Sequence, residues 1–341
     1  MAGRHDQTLT KATPVPDLLS APMIETDVVI IGGGPAGSSC AWQLHQHGIQ
    51  AIILDKARFP RDKLCAGWIT PRVFRALRLG EDRYPHTLTT VRRIVVSLFR
   101  TSFPVRTTQY AIRRVEFDDW LLKRSGIPVH HHRAKDISVQ AGGFVIDRTF
   151  RCRFLVGAGG TNCPVYRSLF APVSPRRPER MIVTLEEEFR LEGADQTCRL
   201  WFFDNRLPGY AWYVPKADGY VNIGIGAKFR SLNARGQNIR TSWNTFVEML
   251  SKRSLLGGHR PSPRGHAYYL RQPHMPYRRG NAFLIGDSAG LASVDMGEGI
   301  GPAVESGLKS ARSIIDGTPY RPESIGRFSA VDIFVPWARL R

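Results

Sequence analysis

Continuous apolar runs and segments of helical spacing take turns along the chain, and that alternation sets its fold class. The first run, DVVII at 27–31, is unbroken, as in a strand covered on both faces. After a glycine-rich turn, Ala36, Cys40 and Leu44 recur at helical spacing, and Gly48 stands where that helix would end. QAIILD at 50–55 predicts a second buried strand. Strand, glycine turn, helix and strand form a βαβ unit that opens a parallel sheet.

A loop region follows to about Gly80. VRRIVVSLF and FPVRTTQYAI predict strands, RRVEFDDWLLKRSG a helix, and RCRFLVGAGG another buried strand ending in glycines. From Met181 to Ile225 the pattern turns β-like through MIVTLEEEF, CRLWFF, YAWYVPK and YVNIGIG, neighbouring strands that predict an antiparallel sheet. NTFVEMLSK predicts a helix, and NAFLIGDSAG returns to the buried-strand pattern. GIGPAVESGLKSARSIID predicts a helix whose Ala303, Gly307 and Ala311 form a small-residue face for close packing. There are no internal repeats. The expected organisation is a disordered leader (1–25), a discontinuous parallel-sheet domain (26–85, 110–168 and 276–320), an antiparallel sheet domain (86–109 and 169–275) and a C-terminal tail (321–341).

A length of 341 residues fits this picture of two units, and 42% hydrophobic residues supply an ordinary core. A formal net charge of +19 is less ordinary. The arginines are spread as singles and pairs, so a generally arginine-rich surface is the leading reading and a basic side facing an anionic membrane the second. No long basic block reads as a nucleic-acid arm, and no nucleic-acid partner is expected. Five scattered cysteines without a CxxC pair suggest neither a disulfide framework nor a zinc site. His130-His131-His132 reads as a polar strand edge or loop, and no metal is expected. The leader is polar and proline-rich, lacks the apolar core of a signal peptide, and no apolar run is long enough to span a bilayer. The expected location is the cytoplasm, with peripheral membrane contact.

The chemistry begins at Gly32-x-Gly34-x-x-Gly37, between strand and helix. Gly32 permits the tight turn, Gly34 lets backbone approach a pyrophosphate, and Gly37 lets helix and strand pack closely. The helix N-terminus then offers free N–H groups and partial positive charge to phosphates. Asp55 ends the second strand, where a carboxylate can bind ribose hydroxyls. Far downstream, Gly286-Asp287 places a carboxylate where it could bind a polyol, which FAD has in its ribitol chain and NAD lacks. The helix beginning near GEGIG would point its N-terminus at the flavin and favour the anionic reduced form. FAD is therefore the expected cofactor. The expected fold class is α/β: a Rossmann-like FAD-binding domain, its parallel sheet flanked by helices, plus an antiparallel β-sheet substrate domain.

On these residues the chain resembles the flavoprotein superfamily typified by para-hydroxybenzoate hydroxylase, and within it is most similar to the geranylgeranyl reductase family. The resemblance runs from about Thr26 to Asp316. It rests on DVVIIGGGPAGSSCAWQL, KLCAGWITP, RVEFDDWL, LVGAGGTNCPVYR, GYAWYVPKADGYVNIGIG and IGDSAG followed by MGEGIGPAVESG. The resemblance implies that the first motif holds the ADP half of FAD, that Arg114 contacts the phosphates and that Asp287 binds ribitol. The cofactor contacts it implies are Gly32, Gly34, Pro35, Ala36, Gly37, Asp55, Lys56, Cys65, Ala66, Gly67, Arg114, Gly286, Asp287, Gly297, Gly299 and Ile300. Three departures stand out. Gly159 replaces the usual aspartate of Gly-Ala-Asp-Gly, SVDM replaces a proline-containing stretch before GEGI, and the chain stops soon after IFVPWARLR, where relatives run on into a further helical region.

The implied reaction is hydride transfer from reduced FAD to a carbon–carbon double bond of an apolar, isoprenoid-like substrate. Monooxygenase or halogenase chemistry with O2 is the alternative, and a non-catalytic flavin electron relay a second. YAWYVPK resembles the Tyr-x-Trp-x-Phe-Pro motif whose aromatics line the family's lipid tunnel, and flavin-dependent halogenases carry a similar Trp-x-Trp-x-Ile-Pro stretch, so the motif alone leaves the halogenase alternative open. Tyr210 and Trp212 alternate on one strand and so share a face. No second dinucleotide motif occurs, so electrons would come from transiently bound NAD(P)H or from a reduced ferredoxin. In KLCAGWITPR, Cys65 read alone is a small buried residue, and the resemblance offers the alternative that it lines the reacting face of the flavin, with Gly67 allowing close backbone approach and Trp68 or Pro71 shaping the wall. The expected catalytic residues are Cys65, Tyr210 and Trp212. Cys152, Cys163 and Cys198 read as small core residues, and Glu298 as either a helix N-terminal residue or a flavin neighbour.

Overall fold

The computed structural model describes residues 22–98 and 101–325. Most of the expected leader, and all but the first residues of the expected tail, lie outside the described residues. The chain order opens with β1 (Ile24–Ile31), α1 (Pro35–His45), β2 (Ala51–Asp55), β3 (Trp68–Ile69), α2 (Pro71–Ala76), β4 (Thr89–Leu98), β5 (Thr101–Ala111) and α3 (Arg114–Arg124). It continues with β6 (Val129–His131), β7 (Ile137–Gln140), β8 (Gly143–Ile146), β9 (Phe150–Gly157), β10 (Met181–Arg190), β11 (Cys198–Phe202), β12 (Gly209–Pro215) and β13 (Tyr220–Lys228). The last elements are α4 (Phe229–Ala234), α5 (Ile239–Lys252), β14 (Arg264–Tyr269), β15 (Arg278–Arg279), β16 (Ala282–Leu284) and α6 (Ile300–Asp316).

The first sheet runs β15-β16-β9-β1-β2-β6, with the β7–β8 hairpin attached to β9. From β16 to β6 the pairs are parallel. The unbroken apolar runs are explained by this placement: Val28, Val29, Ile30, Ile53, Leu54, Leu155 and Val156 have no exposed surface. Burying a side chain of this kind contributes about 1.5–3 kcal/mol. In register, Ile31 meets both Leu54 and Gly157, and Gly157 meets Leu284. The carboxyl ends of these strands therefore form one rim, and chain order reverses at β1, where open parallel sheets bind ligands.

Helix α6 packs on α1 nearly backbone to backbone. A Cβ on Gly307 would collide with the Ala36 carbonyl and come within 3.0 Å of the Cys40 amide. The small-residue stripe is thus a packing seam that brings the N-termini of α1 and α6 onto the same rim.

The second sheet runs β14-β10-β13-β12-β11-β4-β5-β3. It is antiparallel except between β11 and β4, which pair in parallel with Cys198 beside Ile94. The sequence pattern does not show that pairing, because β4 and β11 are far apart in the chain. Trp68–Ile69 also joins this sheet, pairing with Tyr110–Ala111 at its edge. Alternation gives the sheet two faces. Leu185, Tyr213, Ile223 and Ile225 point back to Trp243, Phe246 and Leu250 of α5. The opposite face looks towards the rim of the first sheet.

Candidate active site

Between the two sheets lies a cavity of about 950 Å³, within the size of small-molecule and cofactor sites. One end is built by the first βαβ turn. Gly32 has φ +113°, and a Cβ there would collide with the Ala158 carbonyl. Helix α1 begins at Gly34 with no side-chain cap and no acidic residue in its first turn, so its N–H groups are left for a ligand. Arg61 Nη2 lies 3.3 Å from the position a Cβ on Gly34 would take. Asp55 lines this end and accepts from the Gly33 N–H at 2.7 Å and the Ala57 N–H at 2.8 Å.

Buried Asp118 collects two guanidinium groups. Arg114 donates to it through Nε and Nη2 at 2.7 and 2.8 Å, and Arg61 lies 3.2 Å away. One carboxylate against two arginines leaves positive charge at a helix N-terminus, which fits a pyrophosphate. Arg114 also contacts the Cys65 thiol.

In the middle, Asp287 sits in the turn 286–289 and faces the start of α6. Its Oδ1 lies 3.5 Å from where a Cβ on Gly299 would be. Glu298 accepts from the Gly301 N–H at 2.6 Å, so it serves the helix N-terminus while also lining the cavity. No carboxylate stands at Gly159. The loop there is tied to the turn by the Gly160 N–H on Ser288 Oγ at 3.0 Å. Arg176 completes the tie by donating to the carbonyls of Thr161 and Ser288 at 2.5 and 2.6 Å.

The far end is the open face of the second sheet. Two cross-strand rungs form it: Thr184, Gly226 and Tyr210, then Glu186, Gly224 and Trp212. A Cβ on Gly224 would collide with the Trp212 indole and come within 2.8 Å of Glu186 Cβ. The glycine lets the indole lie across β13 towards Glu186. Trp212 Nε1 donates to Asn222 Oδ1 at 2.7 Å, and the Asn222 amide donates to the Cys65 carbonyl at 3.3 Å. Tyr210 donates its hydroxyl to the Met296 carbonyl at 2.6 Å. Ile182, Leu200, Trp68 and Tyr268 complete an apolar wall.

Two polar groups share that wall. Lys63 Nζ lies 2.9 Å from His266 Nε2. Burial pulls the lysine below its usual range, against the attraction of Asp287. Burial and the Lys63 charge lower His266 to about 4, so the imidazole is neutral near pH 7. Glu186 is 3% exposed, and burial raises its carboxyl to about 7 although Lys216 and Lys63 pull the other way.

The structure gathers Gly32, Gly34, Pro35, Ala36, Asp55, Lys56, Cys65, Ala66, Arg114, Tyr210, Trp212, Asp287, Gly297, Gly299 and Ile300 around this one cavity. Gly37, Gly67 and Gly286 are not on its lining. Gly37 is pressed against the Gly32 carbonyl, Gly67 (φ +69°) against the Ile112 carbonyl and Lys216, and Gly286 between Ala36 and Ala303. Their bareness serves packing between elements. Trp68 shapes the wall, whereas Pro71 opens α2 away from it. His130 and His131 lie on edge strand β6, and His132 bonds Asp147 at 2.6 Å. Cys152, Cys163 and Cys198 are buried. Sequence reasoning missed Arg61, Lys63, Glu186 and His266. The available signal was the pair of glycines in NIGIG, which marks a strand that large side chains must cross.

The sequence family described as FAD binding domain matches residues 25–90. An uncharacterized protein of Methanosarcina barkeri is 31% identical over 86% of this chain and 75% of its own length. A menaquinone reductase of Mycolicibacterium smegmatis is 27% identical over 85% and 76%. A digeranylgeranylglycerophospholipid reductase of Methanopyrus kandleri is 29% identical over 60% and 58%. A geranylgeranyl bacteriochlorophyll reductase-like protein of Thermoplasma acidophilum shares the fold with a TM-score of 0.74 at 18% identity, over 87% of this chain and 79% of that one. A flavin-dependent brominase shares it with a TM-score of 0.67 at 18% identity, over 87% and 81%.

Proposed function

Because the chain belongs to the geranylgeranyl reductase family of FAD-dependent oxidoreductases, we propose that it reduces a carbon–carbon double bond in an isoprenoid-like chain. Bound in its reduced state, FAD supplies the hydride. The observation that carries the reading is the aromatic and aliphatic wall of Tyr210, Trp212, Leu200 and Ile182 beside the Cys65 loop, in the same cavity as the phosphate-binding end. The α1 N-terminus, Arg61 and Arg114 would hold the phosphates, and Asp287 would hold ribitol hydroxyls. Cys65 and Ala66 would stand beside the flavin ring. Tyr210 and Trp212 orient the substrate chain, and their side chains keep water from the reacting carbons. The segments 26–85, 110–168 and 276–320, which carry the first sheet, serve as the FAD domain, and 86–109 and 169–275, which carry most of the second sheet, as the substrate domain; Trp68–Ile69 and Tyr110–Ala111 cross from the former into the second sheet. Electrons arrive from NAD(P)H bound transiently or from a reduced ferredoxin.

A lipid substrate fits peripheral contact with the cytoplasmic face of a membrane. Among the described residues no helix is long and apolar enough to cross one. Leu98, Phe103 and Phe203 are exposed, at the end of the sheet where Phe202 pairs with Tyr210. With a net charge of +19, such a surface adsorbs to anionic lipid. Equal flotation with neutral and anionic vesicles would count against this contact.

The test of the reaction is anaerobic turnover of photoreduced enzyme with a geranylgeranyl lipid, read by mass spectrometry. A product heavier by two hydrogens is expected. Products that gain oxygen or halogen, and only in air, would replace this reading with monooxygenase or halogenase chemistry.

A further inference from the structure

Reducing an isolated double bond takes a proton as well as a hydride, and besides Lys63 and Cys65 the substrate end of the cavity is lined by Glu186, Tyr210, His266 and Glu298. Glu188, two residues along β10 from Glu186, is engaged by Lys216 and by Arg113, the latter at 2.9 Å. Glu298 is bonded to the Gly301 N–H. Tyr210 already donates its proton to the Met296 carbonyl. His266 is neutral near pH 7 and lies against Lys63. Glu186 differs from these. It lines the cavity, is 3% exposed, and its Oε2 has no hydrogen-bond partner among the described residues, while the Asn222 side chain bonds the same carboxyl. It stands in register with Gly224 and Trp212, the residue expected to orient the substrate chain.

Resting on the reductase reading above, we propose that Glu186 is the acid that delivers the proton to the substrate double bond. The π bond breaks. One carbon accepts the hydride from the reduced flavin, and its neighbour accepts the carboxyl proton of Glu186 with the π electron pair. The flavin is left oxidised and Glu186 is left as a carboxylate, which water re-protonates before the next turnover. A carboxyl buried beside an indole and without a partner for Oε2 is held in its acid form, because the ionised form would lose its solvation. Lys216, Lys63, the Asn222 hydrogen bond and Arg114 oppose that effect, which keeps the proton transferable. Arg264, in register from β14, is paired with Asp62. An acid titrating near neutrality suits proton donation at physiological pH.

The experiment compares wild type, Glu186→Gln and Glu186→Asp as full-length holoenzymes, using geranylgeranyl diphosphate as the probe. FAD content and circular dichroism establish folding. Single-turnover rates of the photoreduced enzymes are read by mass spectrometry from pH 5 to 9. Infrared difference spectra of the oxidised holoenzymes at pH 6, without substrate, report the protonated carboxyl. Glu186→Gln is expected to keep FAD and lose about 100-fold or more in rate, and Glu186→Asp to recover part of it. The wild-type rate is expected to fall as pH rises through about 7, and the carboxyl band to vanish in Glu186→Gln. If wild type turns over and Glu186→Gln matches it within about threefold, well below a general-acid effect, or if the band is unchanged, Glu186 is not the acid. If wild type itself yields no product with two added hydrogens, the reductase reading falls and takes this role with it.

Discussion

Trp212 Nε1 donates to Asn222 Oδ1 at 2.7 Å, and through Asn222 the indole is coupled to the Cys65 carbonyl of the neighbouring loop. One amide therefore sets the wall of the substrate end and the loop at the flavin end together. Asn222→Leu would strand a buried indole N–H, costing about 1–3 kcal/mol. The expected outcome is a lower Tm and a turnover loss larger than any loss of FAD, read by thermal melting and single-turnover assay. Unchanged turnover in a folded variant would show that the coupling has no part in catalysis.

The glycine that lets Trp212 cross β13 is equally exposed to test. A Cβ at Gly224 would collide with the indole ring, and a strand neighbour cannot retreat as a surface side chain can. Gly224→Ala should cost about 1–3 kcal/mol and turn the indole into the substrate end. FAD absorbance should survive, since Gly224 lies on β13 of the second sheet and the α1 turn follows β1 of the first. Loss of FAD would mean that the two ends of the cavity do not behave independently.

Cys65 is partly exposed at the cavity and contacts Arg114. Cys65→Ser keeps the backbone of its loop and should leave FAD bound while changing the turnover rate. Anaerobic stopped-flow, with flavin absorbance as the readout, separates flavin reduction from substrate reduction. A variant unaltered in both would return Cys65 to a packing role.

The raised carboxyl of Glu186 also makes a stability prediction independent of activity. Its folded value of about 7 lies above the unfolded value of 4.5. Ionisation therefore opposes folding: the penalty is absent below 4.5, grows as pH rises, and is complete above 7. Each unit corresponds to about 1.4 kcal/mol, so the full effect is about 3 kcal/mol. Glu186→Gln should accordingly gain Tm relative to wild type between pH 5 and pH 8, as thermal melts would record. A difference independent of pH would argue that the carboxyl is not protonated in the fold.

The legible parts of the site are those fixed by local pattern. Gly32, Gly34 and Gly37 announce themselves between a strand and a helix, and Asp287 follows a buried strand. Arg61 and Lys63 lie outside regular elements and join the cavity only through contacts with Asp118 and His266, distant in the chain. Glu186 is harder still to read. It is one of three consecutive glutamates, Glu186 to Glu188, which by pattern suggest a solvated strand.

By itself the sequence determined the elements, the parallel and antiparallel halves and the nucleotide-binding turn, because strand and helix periodicity and glycine sterics act over a few residues. Which face of β10 would be buried against the cavity was decided only by tertiary structure. Period-two alternation says that Glu186 and Glu188 share a face, but not what that face meets. In the folded chain Lys216 and Arg113 neutralise Glu188, while Glu186 meets Trp212 across a bare glycine. Neighbouring residues of one type thus acquire different chemistry, because solvation and charge pairing depend on partners brought from distant parts of the chain.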